Sequence, residues 1–524
     1  MLMLARADNC GSVAERPPTA ELQIISYNDV YEIKPYDAGQ GILVGGPSHI
    51  VPLAKTLRKN YDNSLVIFAG DTMSPSLWSA YFKGLHMIDA HNAIGVDFAC
   101  LGNHEFDFGI DAFLNVSAKS KFPWLNANAY EIATGQLLRG TKPNAVKVFK
   151  SPTMGSFKVG FFGVMYDMKD DSKGMRWTDP VEAAKEQVKY LRTVEKVDFV
   201  IALTHQGLED DNRFSQAVTG VDMIFGGHDH SAMYQTQFGT PYLKSDLDFR
   251  NIWLSHLKWY AAANATNSTS ATPAFTKMTH KNMPITQALP TDAALDALIA
   301  QYDAQVKELN KEVVGSLCQA TDLTKLTVRY KEAPIGNFIS DAFLNYYSDR
   351  VTVDMSVMNG GGIRTDRIWP AGQVNLGDVI SWSPFGNVIQ VVATDGASVK
   401  KFINYIMKDS CGANNLVAEN GLYLHMAGVK YIFVCNGVGS GAVTEFSYLG
   451  KRAGTAVQDT DAVNVAISDY MYAAFTKAGG VTTKMIVTAA EAVRTELCVA
   501  TYTKKQKDAS ICPSAEGRSL VKFA

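Results

Sequence analysis

The chain has 524 residues, of which 47% are hydrophobic and 19% are charged, and its formal net charge is −3. The composition is typical of globular proteins, and the length exceeds what one core supports, so we expect two large domains. The small net charge and the lack of a long Lys/Arg run give no support for a nucleic-acid or membrane-surface partner. No run of about eighteen apolar residues exists, so no transmembrane segment is expected.

Weak signals favour a secreted, extracellular or periplasmic protein. Residues 1–5 are apolar but too short for a secretory signal, and 519–524 contain no hydrophobic tail for a lipid anchor to replace. Glycosylation acceptors begin at Asn115, Asn264 and Asn267, and the last two lie in a Ser/Thr/Asn-rich stretch typical of an exposed loop.

Seven cysteines are present, an odd number. Cys100 lies in an apolar, strand-like run and is expected to be a buried thiol. Cys411 with Cys435, and Cys498 with Cys512, are candidate disulfide pairs, although sequence alone does not fix the connectivity.

From residue 21, short apolar runs alternate with amphipathic stretches, which predicts a β/α domain with buried strands. Five of six runs end in side chains that can hold a metal ion. The runs are 22–29, ending on Asp29; 65–71, ending on Asp71; 98–105, ending with Asn103 and His104; 157–164, without such a residue; 197–205, ending on His205; and 221–225, followed by His228 and His230. Ligands of open α/β sheets bind at the carboxyl ends of strands, so we expect these side chains to meet.

The last run closes on Gly226-Gly227-His228-Asp229-His230. In a strand, residues two apart point to the same side, so both imidazoles are expected to point together and to form half of a metal site. The glycines allow a tight turn or a close approach to a bound ion. The alternative is a pair of ordinary histidines at a strand end.

Residues 78–94 have the spacing of one amphipathic helix that stops at Gly95, with His86 and His91 as surface or packing residues. A second helix over 180–191 begins with a proline in its first turn.

After a polar stretch, one long amphipathic helix is predicted that links two domains. The expected organisation is an N-terminal extension over 1–20, a first domain over 21–290, the linker helix over 291–312 and a second domain over 313–524. In the second domain, the loops 359–364 and 383–386 are glycine-containing turns, or sites of close backbone approach to a ligand.

The polar strand ends form a candidate metal-ligand set: Asp29, Asp71, Asn103, His205, His228 and His230. Carboxylate, amide and imidazole donors together suit Zn²⁺, Mn²⁺, Co²⁺ or Fe²⁺ better than Ca²⁺. An acid such as Asp71 can bridge two ions about 3.5–4 Å apart, a spacing used for displacement at phosphorus.

These residues stand in the order of the motifs of calcineurin-like metallophosphoesterases, which the chain resembles. The run 103–107 and the loop 359–364 narrow the resemblance to the 5′-nucleotidase family, and it extends over about residues 20–490. It implies a two-domain α/β protein: a four-layer αββα metallophosphoesterase sandwich, which would be the catalytic domain, a linker helix and an α+β substrate-binding domain, here a nucleotide-binding one.

The resemblance also implies roles for the candidate ligands. It implies that Asp71 bridges two divalent ions (Zn, Mn, Co or Fe), with Asp29 and His230 on one and Asn103, His205 and His228 on the other. His104 would donate a hydrogen bond to a phosphoryl oxygen, oriented by Asp107. The alternative for Asp107 is a helix or turn cap.

In the second domain, Arg329, Asn359 and Arg364 match the family's polar substrate contacts. Phe385 matches one of two aromatic rings between which a nucleobase stacks, its alternative being a core residue. The second ring is Tyr470 or Phe475, and we favour Tyr470 because it closely follows the apolar run 463–467.

One departure concerns a metal ligand. The family usually has Asp-x-His where this chain has Asp29-Val30-Tyr31. One ion therefore loses an imidazole, unless the Tyr31 phenolate coordinates, which would favour a more acidic ion such as Fe³⁺.

The resemblance implies metal-dependent hydrolysis of nucleotide phosphoesters by a metal-activated water, releasing nucleoside and phosphate. The alternatives are an apyrase, a UDP-sugar hydrolase or a cyclic-nucleotide phosphodiesterase on the same site, or a non-catalytic binding relative weakened by Tyr31. The expected partner is a small nucleotide rather than a nucleic acid duplex, and the oligomeric state is open.

Overall fold

A computed structural model of the chain describes residues 18–37, 41–152, 154–168, 174–260, 275–308, 311–489 and 491–524. The chain divides into two compact units, one of the residues up to Met73 with Met87–Ala297, the other of Ser74–His86 with Leu298–Ala524. The acceptors Asn264 and Asn267 and the apolar residues 1–5 lie outside the described residues, while Asn115 is exposed on a helix.

The first unit is built mainly on two mixed sheets. Its strands are β1 (Ala20–Tyr27), β2 (Tyr36–Asp37), β3 (Leu43–Val44), β4 (Ser64–Phe68), β5 (Phe98–Cys100), β6 (Trp124–Leu125), β7 (Ala129–Glu131), β8 (Thr141–Lys142), β9 (Asn144–Ser151), β10 (Gly155–Met165), β11 (Met175–Trp177), β12 (Phe199–His205), β13 (Met223–Gly227), β14 (Met233–Gln235), β15 (Tyr242–Lys244), β16 (Asn251–Tyr260) and β17 (Phe275–Pro284). The helices up to β17 are α1 (Ile50–Asn60), α2 (Leu77–Phe82), α3 (Leu85–Ile94), α4 (Ile110–Lys119), α5 (Pro180–Thr193) and α6 (Leu208–Ala217). Of these, α2 belongs to the second unit.

The strand order places the predicted ligands at the carboxyl ends of parallel strands in both sheets. Among the described residues, the first sheet has the order β17-β16-β1-β4-β5-β6-β8 and the second β14-β15-β13-β12-β10-β9. Strands β1, β4 and β5 are mutually parallel, as are β10, β12 and β13. The chain therefore leaves β1, β4, β5, β12 and β13 at carboxyl edges, where ligands of such sheets bind.

Apolar side chains between the sheets form the core of this unit. The contributing residues include Leu22, Leu65 and Phe98 from the first sheet, and Phe161, Ile201 and Phe225 from the second. Outside the second sheet, Val181, Leu191 and Phe214 of α5 and α6 pack with Phe162 and Ala202. Outside the first, α1 buries Ile50, Val51 and Ala54. The predicted four-layer αββα sandwich is confirmed.

The single helix predicted over 78–94 is wrong. The structure has two helices, because Lys83 and Gly84 both take positive φ and end α2. A residue with positive φ cannot continue a right-handed helix. His86 and His91 are both fully buried, so they are packing rather than surface residues.

The linker helix α7 (Ala293–Val306) is shorter than the predicted 291–312, and the boundary between the units falls within it, after Ala297. The remaining elements are β18 (Val313–Leu317), β19 (Thr321–Asp322), α8 (Lys325–Val328), α9 (Pro334–Tyr346), β20 (Met355–Asn359), β21 (Ile368–Trp369), β22 (Gly372–Asn375), α10 (Leu376–Trp382), β23 (Val388–Asp395), α11 (Gly396–Met407), β24 (Leu424–Ala427), β25 (Val429–Gly437), β26 (Ser440–Tyr448), β27 (Ala462–Ser468), α12 (Asp469–Lys477), β28 (Lys484–Val487), β29 (Val493–Arg494), α13 (Thr495–Lys505), β30 (Ser510–Ile511) and β31 (Ser519–Phe523). Strands β24-β20-β27-β23-β28 form the main sheet of this α+β unit, and β29 also pairs with β23.

Two disulfides lie in the second unit. Cys411 pairs with Cys435, as one candidate pairing had it. The other candidate pairing is wrong, since Cys512 is bonded to Cys318, 194 residues earlier in the chain. Cys498 remains a buried thiol that contacts the Ala342 carbonyl oxygen, and Cys100 is buried as predicted. Within the described part of the chain, no helix is both long and apolar enough to cross a bilayer.

Candidate metal centre

The loops that leave the sheet edges of the first unit carry the predicted ligands in a strained backbone. Asp29, Asp71, His228 and His230 all have positive φ, at 53°, 67°, 88° and 54°. Non-glycine residues rarely adopt this conformation, which costs about 1–3 kcal/mol each and clusters at functional sites. The fold thus holds four of the six candidate ligands in conformations that the isolated chain would avoid.

The expectation that His228 and His230 point together from a strand is wrong. Strand β13 ends at Gly227, and both histidines follow it with positive φ. His228 Nδ1 lies 3.1 Å from Asn103 Oδ1, whereas His230 Nε2 lies 3.2 Å from Asp29 Oδ1. The two rings therefore serve two groups of donor atoms.

One group of donors is formed by Asp71, Asn103, His205 and His228. His205 Nε2 lies 3.0 Å from Asp71 Oδ2. Donor atoms of Asp71, His205 and His228 lie within 4.8 Å of one another, close enough to hold a single ion. Asn103 completes this group through its contact with His228.

The second group is formed by Asp29, Tyr31, His230 and the same Asp71. The Tyr31 hydroxyl oxygen lies 3.0 Å from Asp29 Oδ1, 3.1 Å from Asp71 Oδ2 and 2.8 Å from His230 Nε2. Since Oδ2 of Asp71 faces both groups, this carboxylate is placed between them.

The ring of His205 tests whether these residues fit a cation. Its Nδ1 lies 2.8 Å from the Ala69 carbonyl oxygen, which can only accept, so Nδ1 carries a hydrogen. Its Nε2 is buried with no hydrogen-bond partner among the described residues, although it faces the Asp71 carboxylate. Nε2 and this carboxylate oxygen can be held together either by a proton on the ring or by a cation bound to both atoms. The donor set fits a borderline divalent metal.

Charge interactions among these side chains agree with a cation site. Burial raises the pKa of Asp71, but the nearby His205 and His104 rings outweigh it and hold that pKa well below its usual range. Burial lowers the pKa of His205, yet the Asp71 and Asp29 carboxylates raise it to about 10. Burial and the neighbouring His205 charge lower the pKa of His228 to about 4. The site therefore holds a proton where a metal ion would replace it.

His104 and Asp107 form a separate pair beside these donors. His104 Nδ1 lies 2.6 Å from Asp107 Oδ2, while its Nε2 lies 3.9 Å from Asp71 Oδ2. The backbone N–H of His104 donates to Asp71 Oδ1 over 2.8 Å. The Asp107 carboxylate therefore contacts the His104 ring, and the ring stands at the edge of the donor groups.

Two glycines allow the loops to come this close. A Cβ atom on Gly102 would lie 2.2 Å from Asp71 Oδ1. A Cβ on Gly227 would lie 2.6 Å from the Ala69 oxygen and 2.9 Å from Asp29 Oδ2. The Gly226-Gly227 pair was expected to allow a close approach of the backbone. This holds for Gly227, because the space that its Cβ would fill is occupied by atoms of the ligand-bearing segments.

The sequence interpretation missed the role of Glu105, whose buried carboxylate joins two ligand loops. It accepts backbone N–H bonds from Gly102 (2.5 Å), Asp71 (3.0 Å) and Thr72 (2.8 Å). Burial and the Asp71 charge raise the pKa of Glu105 to about 7. Its place three residues after Gly102, as in a capping box, was the available signal.

Glu105→Gln is expected to lower stability by about 1–3 kcal/mol, because an amide nitrogen would face a backbone N–H. It should also weaken metal binding about 10–100-fold, as loss of outer-shell support does. Urea unfolding and metal titration measure both effects. Glu131→Gln is the control, since Glu131 is a buried carboxylate held by Arg139 and away from the ligands. Equal metal affinity in both variants would contradict the positioning role.

A buried lysine supports the turn between the two histidines. Lys244 Nζ is fully buried and contacts Asp229 Oδ2, Asp211 Oδ2 at 2.7 Å and the Gln206 carbonyl oxygen at 2.7 Å. Asp229 also accepts the Leu208 N–H at 3.0 Å. No sequence pattern around Lys244 indicates this role, because its partners come from separate segments that only the second sheet brings together.

In the second unit, the predicted substrate residues gather at one edge of the main sheet. Strand β20 is parallel to β27, and β23 is antiparallel to it, so the ends of β20 and β27 meet the start of β23. Asn359 ends β20, the Phe385 loop precedes β23 and Tyr470 follows β27. Arg364 lies over the Phe385 ring at 5.5 Å, and Arg329 pairs with Glu419 at 2.7 Å.

Burial decides between the two aromatic candidates. Phe475 is 2% exposed and packs in the core against Phe402, with ring centroids 4.9 Å apart. Tyr470 is 48% exposed at the first turn of α12. A buried ring offers no face to a ligand, so Phe475 is corrected to a core residue and Tyr470 remains the candidate.

Comparison with known proteins agrees with this two-unit organisation. Residues 27–232 match the calcineurin-like phosphoesterase family model, and 312–483 match that of the 5′-nucleotidase C-terminal domain. The chain is 25% identical to the 5′-nucleotidase of Mus musculus over 454 residues, which covers 79% of this chain and 76% of the relative. It is 26% identical to the snake venom 5′-nucleotidase of Naja atra over 434 residues, covering 77% and 81%.

The fold is similar to that in the crystal structure of a 5′-nucleotidase precursor from Thermus thermophilus. The TM-score is 0.80 at 21% identity, and the match covers 96% of this chain and 99% of that one. This likeness extends over both units and establishes the shared fold.

Proposed function

Because the chain belongs to the 5′-nucleotidase family, with a calcineurin-like phosphoesterase domain followed by a 5′-nucleotidase C-terminal domain, we propose that it hydrolyses nucleotide phosphoesters to nucleoside and phosphate. Phosphoester hydrolysis of this type is the family's chemistry. The nucleotide substrate and a centre of two divalent ions are the finer parts of the proposal.

The observation that carries the proposal is the buried Asp71 carboxylate between two groups of donor atoms. His205 Nε2 faces its Oδ2 at 3.0 Å from one side, and the Tyr31 hydroxyl at 3.1 Å from the other. Asp71 is 1% exposed, and an isolated buried carboxylate is strongly unfavourable. Asp29 and His230 would hold one ion, Asn103, His205 and His228 the other, and Asp71 both.

Two bound ions would supply Lewis acidity toward phosphoryl oxygens and lower the pKa of a water molecule toward neutrality. His104 is proposed to donate its Nε2 hydrogen to a phosphoryl oxygen as negative charge grows. Asp107 accepts from Nδ1 at 2.6 Å, which fixes the orientation of the ring. Partial burial of both side chains, 15% and 17% exposed, limits competing water.

We assign nucleoside binding to the sheet edge of the second unit. Phe385 and Tyr470 are proposed to stack on the base, which binds any base and so gives affinity more than identity. Arg329, Asn359 and Arg364 are proposed as polar contacts. The Arg364 guanidinium over the Phe385 ring supports this, because it keeps that ring and a phosphate-binding cation side by side.

Chelation tests the metal requirement. EDTA is expected to reduce phosphate release from AMP at least about 100-fold, because loss of the ions removes the activated water. Mn²⁺ or Zn²⁺ should restore it, and EDTA already saturated with Zn²⁺ is the control. Activity that survives thorough chelation, with metal content below one ion per chain, would contradict the mechanism.

The same assay on ADP, ATP, a UDP-sugar, a cyclic nucleotide and an aryl phosphate identifies the substrate. Fastest turnover of AMP supports the proposal, and preference for another substrate selects an apyrase, UDP-sugar hydrolase or phosphodiesterase instead. No turnover of any substrate by the metal-loaded protein would indicate a binding protein.

We also propose that the protein functions outside the cytosol. The Cys318–Cys512 and Cys411–Cys435 disulfides support this, because such bonds persist in oxidising compartments.

A further inference from the structure

The hydroxyl group of Tyr31 occupies an unusual position. The residue is 2% exposed, and its oxygen lies 2.8–3.1 Å from Asp29 Oδ1, Asp71 Oδ2 and His230 Nε2. A phenolic group has one hydrogen to donate, and an ionised carboxylate only accepts. The two carboxylate oxygens must therefore share or compete for this one hydrogen.

A cation among these atoms removes that conflict. Ligands at about 2.0–2.1 Å from an ion are about 2.8–3.4 Å apart in octahedral or tetrahedral coordination. The hydroxyl of Tyr31 is 3.0 and 3.1 Å from the two carboxylate oxygens and 2.8 Å from His230 Nε2, which is 3.2 Å from Asp29 Oδ1. These separations match the edges of one coordination polyhedron.

Tyr31 is also held in place before any ion binds. Asp248 Oδ1 accepts the backbone N–H groups of Tyr31 and Glu32 at 3.0 and 3.1 Å. The ring meets the His104 and His230 rings edge-on, each at 5.5 Å between centroids. Such outer contacts fix the direction of a ligand and raise metal affinity.

We propose that Tyr31 coordinates the ion bound by Asp29 and His230 through its phenolic oxygen, and that this ion is a hard, strongly Lewis-acidic one such as iron(III). The proposal rests on the dinuclear centre proposed above and replaces one of its two divalent ions by a trivalent one. With Tyr31, this site has three oxygen donors and one nitrogen donor. The site of Asn103, His205 and His228, which shares Asp71, has two oxygen and two nitrogen donors. Because oxygen donors favour harder ions, the Tyr31 site is the one that suits a hard ion. Coordination releases the phenolic hydrogen to solvent as a proton.

Tyr31→Phe tests this, because it keeps the ring and removes only the oxygen. Metal-free protein is titrated with Fe³⁺, and visible absorption from charge transfer between phenolate and iron is recorded with bound metal by elemental analysis. Wild type should gain this absorption, and Tyr31→Phe should lack it. The variant should also bind one of the two ions at least about 100-fold more weakly, which is more than the loss of affinity caused by removing an outer-shell partner.

Tyr242→Phe is the matched control, since the buried Tyr242 hydroxyl donates to Asn212 at 2.6 Å and contacts no candidate ligand. It should retain the absorption. Equal absorption and equal metal content in wild type and Tyr31→Phe would overturn the inference, with circular dichroism showing that both fold. Absorption without hydrolysis of any nucleotide would refute the proposed function alone, and hydrolysis without a Tyr31-dependent absorption would refute this inference alone.

Discussion

Replacement of Asp71 by asparagine is expected to reduce nucleotide hydrolysis at least about 1,000-fold, because the proposed bridging charge is lost. Asparagine keeps the size of the side chain and one acceptor oxygen. Its Oδ1 equivalent can still accept the His104 N–H, a 2.8 Å bond in the wild type. The other position, 3.0 Å from His205 Nε2, would carry an NH₂ group that cannot bind a cation.

Two readouts separate this effect from a general loss of structure. Elemental analysis should find at most one ion per chain in Asp71→Asn, against two in the wild type. Asp97→Asn is the control, because Asp97 immediately precedes β5 of the same sheet, accepts the Val66 N–H at 2.9 Å and pairs with Arg58 outside the ligand set. Two ions and unchanged turnover in Asp71→Asn would refute the bridging role.

Replacement of His104 by alanine is expected to lower kcat about 100- to 10,000-fold, the usual contribution of a positioned proton donor. Metal content should fall far less than turnover, because the His104 ring is 3.9 Å from Asp71, pairs with Asp107 and touches the ligand groups only through its edge contact with the Tyr31 ring. Phosphate release and elemental analysis on the same preparation measure both quantities. Equal loss of metal and turnover would mean that His104 is a ligand or a structural residue.

The choice of substrate shows which oxygen His104 serves. If it donates to a phosphoryl oxygen, kcat for AMP and for an activated aryl phosphate should fall by similar factors; donation to the leaving group would spare the aryl ester. His256→Ala is the control, as His256 also pairs with a carboxylate, Glu21 at 2.9 Å, but outside the site.

Much of the first unit follows from local pattern. The runs that end on Asp29, Asp71, His205 and the His228–His230 pair are strands or their immediate continuations, because buried parallel strands require continuous apolar segments. Parallel pairing then brings their carboxyl ends to a shared edge, which made the ligand set predictable.

The orientation of these side chains was not predictable in the same way. Period-two alternation holds only while the backbone is extended, and the chain leaves that region at His228 and His230. The helix over 78–94 failed for the same reason, since its apolar spacing continues through Lys83, where the backbone turns left-handed. Phe475 and Tyr470 differ in burial, which depends on the Phe402 ring from a distant helix.

The sequence by itself determined the six apolar runs that form or contain β1, β4, β5, β10, β12 and β13, the six candidate ligands and the His104–Asp107 pair, because each depends on residues close together or on the ends of apolar runs. The tertiary structure alone decided that Glu105 joins two loops, that Lys244 supports Asp229, that Cys318 rather than Cys498 pairs with Cys512, and that Tyr31 faces the donors. These contacts join residues far apart in sequence or depend on side-chain direction, and their geometry is set by the packing of sheets and loops, which no local pattern encodes.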